Sequence, residues 1–247
     1  MPSFKLTLAY EGTDFVGWQR QANGPSIQGL LEEACLELDG RAVTVNGAGR
    51  TDAGVHALGQ VASCSLERPV SPDVVVRALN ARLPPGVRVL SAVEARPEFH
   101  ARFDARAKTY RYRIWNAAVL DPFERRYAWH LSGPLDVEAM GGAASLLEGR
   151  HDFAGFQASG SATHPTERTI RTSVVSRTGP LVVYEVTGEG FLRHMVRTIV
   201  GTLVDVGRGR WPAEHMRDVL MAADRTLAGP TAPAEGLFLV SVEYGDL

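Results

Sequence analysis

Lysine is nearly absent from this 247-residue chain: Lys5 and Lys108 stand against 24 arginines. Cysteine is as scarce, with only Cys35 and Cys64, which excludes a disulfide scaffold and a four-cysteine zinc site. No apolar run approaches the ~20 residues of a bilayer-spanning helix. The opening MPSFKLTLAY has no charged leader followed by a long apolar block, so no secretory signal is expected. An excess of positive charge is missing too. With 26 basic and 28 acidic side chains the formal net charge is −2, against the usual profile of a phosphate binder. What is present is an ordinary globular composition, 45% hydrophobic and 22% charged. Its length suits one large or two small domains with a packed core. A cytoplasmic, non-membrane protein is the expectation.

The kind of basic residue matters as much as the count. The planar forks of arginine suit bidentate contacts to phosphates and base edges. The arginines also cluster. Arg96, Arg102, Arg106, Lys108, Arg111 and Arg113 face only Glu98 and Asp104 within that stretch, a local balance of 6 − 2 = +4. A general arginine preference would account for their number but not for this placement.

Phe4, Leu6, Leu8 and Tyr10 alternate with polar or small residues, the period of a half-buried strand. A glycine-rich loop follows. Pro25 and Ser26 open a helix whose Ile27, Leu30, Leu31, Ala34, Cys35 and Leu38 share one face, and Gly40 stops it. Arg41 to Ala48 reads as a strand and Gln60 to Leu66 as another. Ser71 and Pro72 start a helix ending before Pro84-Pro85-Gly86, and Val87 to Ala95 is a strand. The order β-α-β-β-α-β is that of a ferredoxin-like split unit.

The second half reads similarly. Lys108–Trp115 is a strand, 135–147 a helix, and Thr169–Ser176 with Leu181–Thr187 a hairpin around Gly179-Pro180. Helices follow over Phe191–Val206 and Ala213–Ala223, then a closing strand, Phe238–Tyr244. The fold class expected is α+β, two halves with antiparallel sheets, 1–106 and 107–247, joined near residues 96 to 107. The polar Gly/Ser-rich segment 155–168 is expected to be a mobile excursion.

Three stretches could carry chemistry. In Gly47-Ala48-Gly49-Arg50-Thr51-Asp52-Ala53-Gly54-Val55-His56, the glycines allow positive φ and close backbone approach. Asp52 there can organise the turn or present a carboxylate into a cleft. No Gly-Lys-Ser/Thr ending makes it a P-loop. Asp52 and His56 are four apart and could suggest a metal pair, but a metal site needs three or four ligands. In the second, 107–113, Lys108, Tyr110 and Tyr112 share one strand face and Arg111 and Arg113 the other. Such interleaving suits base stacking and phosphate contacts, or a tyrosine in a sheet core with solvated arginines. In the third, 190–197, Arg193 and Arg197 would share a helix face. Arg197 lies on an otherwise apolar helix and needs an anionic partner if buried; Asp52 is one candidate, and solvent the other.

The blocks YEGTDFVGWQRQ, GAGRTDAGVHALGQV, LNARLP, FHARFDARAKTYRYRIWN, GFLRHMVRTIVGTLVDVGRG and TAPAEGLFLVSVEY together resemble the TruA-type tRNA pseudouridine synthases (the tRNA pseudouridine synthase A family). The resemblance spans nearly the whole chain, and GRTDAGVH is its most specific part. It implies an isomerase of uridines 38 to 40 in the tRNA anticodon arm. Asp52 corresponds to the nucleophile, Tyr110 to the tyrosine stacking on the target uracil, Arg197 to the arginine pairing with the aspartate, and Arg50 to a basic residue that helps draw out the nucleotide. It also implies two ferredoxin-like halves joined in a curved sheet, helices on one face and the cleft between them. A homodimer without metal or cofactor is expected. Two rivals keep different chemistry: a non-catalytic RNA-binding module using Arg96 to Arg113, and a metal-dependent hydrolase built on Asp52 and His56. Any grip on tRNA must come from placement, with Arg96 to Arg113, Arg50, Arg193 and Arg197 expected to supply it.

Overall fold

The alternation at the N-terminus becomes β1 (Ser3–Tyr10), in which Phe4, Leu6, Leu8 and Tyr10 are all buried. The computed structural model describes residues 1–161 and 163–245. Among these it contains ten strands and five α-helices, an α+β protein. The chain divides into two compact units, residues 1–106 with 238–247, and residues 107–237.

In the first unit, α1 (Ile27–Asp39) starts where the sequence places it. Ser26 Oγ accepts from the Gly29 N–H at 3.2 Å, and Gly40 closes the helix at φ 82°, its N–H on Leu36 O. That left-handed residue is where glycine is favoured. The apolar stripe buries Ile27, Leu31, Ala34 and Cys35, each larger side chain contributing about 1.5–3 kcal/mol. The strand expected over Arg41–Ala48 shrinks to β2 (Asn46–Gly47). Val43 and Val45 are buried, but the Val45 carbonyl is taken by the side-chain amide of Gln28 at 3.0 Å, so apolar alternation here lines the core without ladder pairing.

β3 (His56–Ser65) begins four residues earlier than its pattern suggested. α2 (Pro72–Arg82) has Pro72 in its first turn and Ser71 at the N-cap position without a side-chain cap bond. β4 (Val87–Ala95) matches its expected span. β1 lies between β4 and β3, antiparallel to both, and β2 pairs with β3. α2 packs on β4 and on α1.

The second unit is built on β5 (Ala105–Trp115), which carries a parallel two-residue partner, β6 (Trp129–His130). α3 (Val137–Ser145) is capped by Asp136, and β7 (Gly149–Asp152) follows. β8 (Glu167–Thr178) and β9 (Leu181–Gly188) form the expected hairpin, with Thr178 opposite Leu181 across Gly179-Pro180. The strand order is β5-β9-β8-β7, all antiparallel.

α4 (Met195–Gly207) starts four residues later than its apolar pattern implied, because His194 sits at φ 63° and breaks the helical path. Every residue of α4 except Arg197 is buried, the mark of a helix enclosed on all sides. α5 (His215–Ala222) likewise starts late. The closing strand, β10 (Leu237–Tyr244), returns to the first unit, where Phe238 and Leu239 run parallel to His56 and Ala57 of β3.

The segment expected to be a mobile excursion is tied down near both ends. Gln157, Ala158 and Thr166 are buried, the Ala158 N–H donates to Arg193 O at 2.9 Å, and Gln157 Nε2 donates to Ser161 Oγ at 2.7 Å. Ala162 lies outside the described residues.

Candidate active site

The loop bearing Asp52 is built by close packing of two glycine-punctuated segments of the first unit. The Trp18 N–H donates to Thr51 O at 3.0 Å. A Cβ on Gly17, whose φ is 106°, would stand 2.6 Å from that same carbonyl oxygen, and one on Gly12 would stand 2.0 Å from Val55 O. Gly47 lies flat on Trp18, where a Cβ would meet the indole at 2.3 Å. The 12–18 loop can approach the Asp52 loop only because these positions lack side chains. Asp52 opens a turn closed by Val55 N–H to Asp52 O at 3.2 Å, with Gly54 at φ 79° in the position that demands glycine.

Beneath the turn lies a buried polar relay. Gln60, fully buried, donates through Nε2 to Gly49 O at 2.9 Å and to the Tyr10 hydroxyl at 3.3 Å. Tyr10 in turn is 2.9 Å from Thr51 Oγ1. Burial pushes the Tyr10 phenol up to about 12, against the opposing hydrogen bonds of Thr51 and Gln60. Asp52 itself is half-buried and Arg50 exposed. A short carboxylate is thus carried on a turn whose backbone is held from two sides. Nothing local in the sequence marks Tyr10, Gln60 or the glycines at 12 and 17 as supports, although Tyr10 and the glycines fall in the YEGTDFVGWQRQ block and Gln60 in GAGRTDAGVHALGQV.

His56 is structural. It is 1% exposed, its Nδ1 accepts the Gly12 N–H at 2.9 Å, and its ring stacks on Phe238 at 4.6 Å. The backbone thus engages one of the two ring nitrogens that a metal pair with Asp52 would draw on. Among the described residues no group of three or more His, Cys, Asp or Glu could hold a metal ion.

Tyr110 and Arg197 belong to the second unit. Tyr110 sits in β5 opposite Val186, 8% exposed, with its ring edge-on to Phe191 at 4.9 Å and 76°. Arg197 is fixed by a strap, residues 228–236. Its Nε donates to Ala232 O at 2.7 Å, and its own carbonyl accepts the Ala232 N–H at 3.0 Å. The strap lies flush on α4: a Cβ on Gly201 would stand 1.7 Å from Pro230 O, and the Gly229 N–H reaches Thr202 Oγ1 at 2.9 Å.

Tyr112 holds the strap's other end, its hydroxyl donating to Pro233 O at 2.8 Å and its ring lying against Gly236. Burial raises the Tyr112 phenol further, Glu235 adding to this and Arg197 opposing it. Arg193 is exposed and precedes α4 rather than sharing its face with Arg197.

The basic stretch is less available than its count suggests. Arg111 Nε and Nη2 reach Glu185 at 2.9 and 2.8 Å, Arg113 reaches Glu124 at 2.8 Å, and Arg96 reaches Asp104 at 3.0 Å. Glu185 and Glu124 lie outside the stretch, so local counting missed them. Arg102 and Arg106, like Arg50 and Arg193, are exposed.

A family model described as tRNA pseudouridine synthase matches residues 7–104 and 143–245. The tRNA pseudouridine synthase A of Moorella thermoacetica is 50% identical over 246 residues, 99% of this chain and all of that protein. The proteins of that name from Pelobacter propionicus and Myxococcus xanthus are each 49% identical, covering 99% and 100% of this chain and 100% and 93% of their own lengths. With the family model covering most of its length and relatives aligned end to end, the chain belongs to the tRNA pseudouridine synthase family.

Proposed function

We propose that the chain isomerises uridine to pseudouridine in tRNA, at positions 38 to 40 of the anticodon arm, with Asp52 as nucleophile. The reaction breaks the C1′–N1 bond, turns the uracil and forms C1′–C5, and the hydrogen displaced from C5 leaves as a proton while N1 gains one. Substrate and product are isomers, so no group donor enters the balance. The carboxylate can act at the sugar, at the base or on the C2′ proton, each requiring its ionised form. The observation carrying this reading is the support around Asp52, a half-buried carboxylate on a turn braced by Trp18, Tyr10 and Gln60.

In this reading Arg197, anchored by the strap, pairs with Asp52, and Arg50 helps extrude the nucleotide. Taking a base from the stem costs a few kcal/mol, and stacking on Tyr110 returns about 1–3 kcal/mol. The strand order of the first unit, with β1 between β4 and β3 and β2 on β3, supports a ferredoxin-like half. A cytoplasmic homodimer needing neither metal nor cofactor completes the proposal. The test uses tRNA tritiated at uridine C5, since isomerisation releases the label. Asp52→Asn is expected to abolish release while still binding tRNA; retained turnover would overturn the assignment.

A further inference from the structure

The arginine-rich stretch separates into two parts in the fold. Arg111 and Arg113 of its strand part are ion-paired across the sheet and to the following loop, whereas its loop part turns Phe103 into solvent at 75% exposure. A single exposed apolar side chain is ordinarily incidental. Here the turn beneath it is built. Ala101 is fully buried, its N–H donating to Ser63 Oγ at 3.1 Å and its carbonyl accepting the Tyr244 hydroxyl at 2.7 Å. The His100 N–H donates to Asp104 Oδ2 at 2.9 Å, the Asp104 N–H returns to His100 O at 3.0 Å, and Arg96 closes on the same carboxylate at 3.0 Å. The His100 N–H, then Arg96, hold the Asp104 carboxyl below its ordinary value.

His100 Nδ1 also accepts the Arg102 and Phe103 N–H groups at 3.1 and 3.4 Å, so Nε2 carries the ring proton if the imidazole is neutral. The imidazole lies 4.2 Å from the Phe103 ring with 35° between their planes, and the Arg102 guanidinium is 5.8 Å from the ring centroid. An aromatic ring, three quarters of it open to solvent, is therefore held out on a preorganised turn with an imidazole and a cation close by.

The exposed neighbours in sequence are Arg96, Pro97, Glu98, Arg102 and Arg106. They lack the contiguous apolar area that forms the core of a protein interface. An unstacked nucleobase needs one open π face and a cation for the adjoining phosphate, which this cluster supplies. We propose that Phe103 and Arg102 form an RNA contact outside the residues that act on the target uridine, a tRNA base stacking on Phe103 while Arg102 binds a neighbouring phosphate. The inference rests on the reading that the chain acts on tRNA.

Wild type, Phe103→Ala, Phe103→Trp and Arg102→Ala are compared by tRNA fluorescence anisotropy and by steady-state tritium release. Phe103→Ala should raise Kd and KM about 5- to 150-fold, the loss of one stacked base, with kcat at saturating tRNA and Tm unmoved. Phe103→Trp should restore both constants. Arg102→Ala should reduce the salt slope of binding by about one. Wild-type Kd and KM in Phe103→Ala would overturn the proposal. A drop in its sedimentation mass without RNA, with no change in tRNA affinity, would also overturn it in favour of a protein contact. If wild type binds tRNA yet releases no tritium, the proposed reaction fails, and the Kd comparison alone decides this site.

Discussion

Replacing Gly201 by alanine sets two effects of opposite sign against each other. In a helix interior, alanine should stabilise by about 1 kcal/mol over glycine. At this point in α4 the new Cβ would stand 1.7 Å from the Pro230 carbonyl oxygen, and an ordinary contact begins at 3.4 Å, so the strap must retreat by about 3.4 − 1.7 = 1.7 Å. Three hydrogen bonds join strap to helix there: Gly229 N–H to Thr202 Oγ1 at 2.9 Å, Ala232 N–H to Arg197 O at 3.0 Å, and Arg197 Nε to Ala232 O at 2.7 Å.

A retreat of that size carries all three out of bonding range. At about 0.5–1.5 kcal/mol each the loss is roughly 1.5–4.5 kcal/mol, which exceeds the gain in helix propensity. Gly201→Ala is therefore expected to lose about 0.5–3.5 kcal/mol in equilibrium urea unfolding. Tritium release should fall as well, because Arg197 loses its anchor. A variant as stable as wild type, or stabilised by the ~1 kcal/mol of propensity alone, would refute the role given to the strap.

Two further outcomes follow from the same structure. The Tyr10 phenol is raised to about 12 in the folded chain against about 10 when unfolded, so the folded state retains its proton where the unfolded state has lost it. Stability should therefore be intact below pH 10 and fall between pH 10 and 12 by up to ~1.4 kcal/mol per pH unit from this group; Tyr10→Phe should flatten that fall in alkaline unfolding curves, and an unchanged slope would count against it. Tritium release should be insensitive to EDTA, since His56 Nδ1 is occupied by the Gly12 N–H; release lost on chelation and restored by a divalent metal would overturn the metal-free isomerisation.

Where periodicity and punctuation agree, the elements were legible. β1, α1, β4 and the β8–β9 hairpin lie close to their expected spans because alternation, a serine cap, Gly40 and Gly179-Pro180 all act locally. Arg41–Ala48 misled because Val43 and Val45 alternate into the core while the Val45 carbonyl turns to Gln28 instead of a strand neighbour. The start of α4 misled because Phe191 and Leu192 continue its apolar pattern up to a left-handed His194. The proposed roles of Asp52, Tyr110, Arg197 and Arg50 were nameable from motif blocks, but the supports around Asp52 (Tyr10, Gln60) and around Arg197 (Tyr112 and the strap) were not, since their bonds join residues tens of positions apart.

Family membership, the α+β class and the candidate carboxylate were present in residue order alone, because motif blocks and hydrophobic period are properties of contiguous chain. The tertiary structure alone decided which arginines remain available. Arg111 is neutralised by Glu185, a partner 74 residues away, and no local charge count can see an ion pair made across a sheet. It likewise decided that His56 is a support, through the Gly12 N–H, and that Phe103 stands exposed on a rigid turn fastened by Ser63 and Tyr244. Burial and hydrogen bonding are settled by what the fold brings alongside.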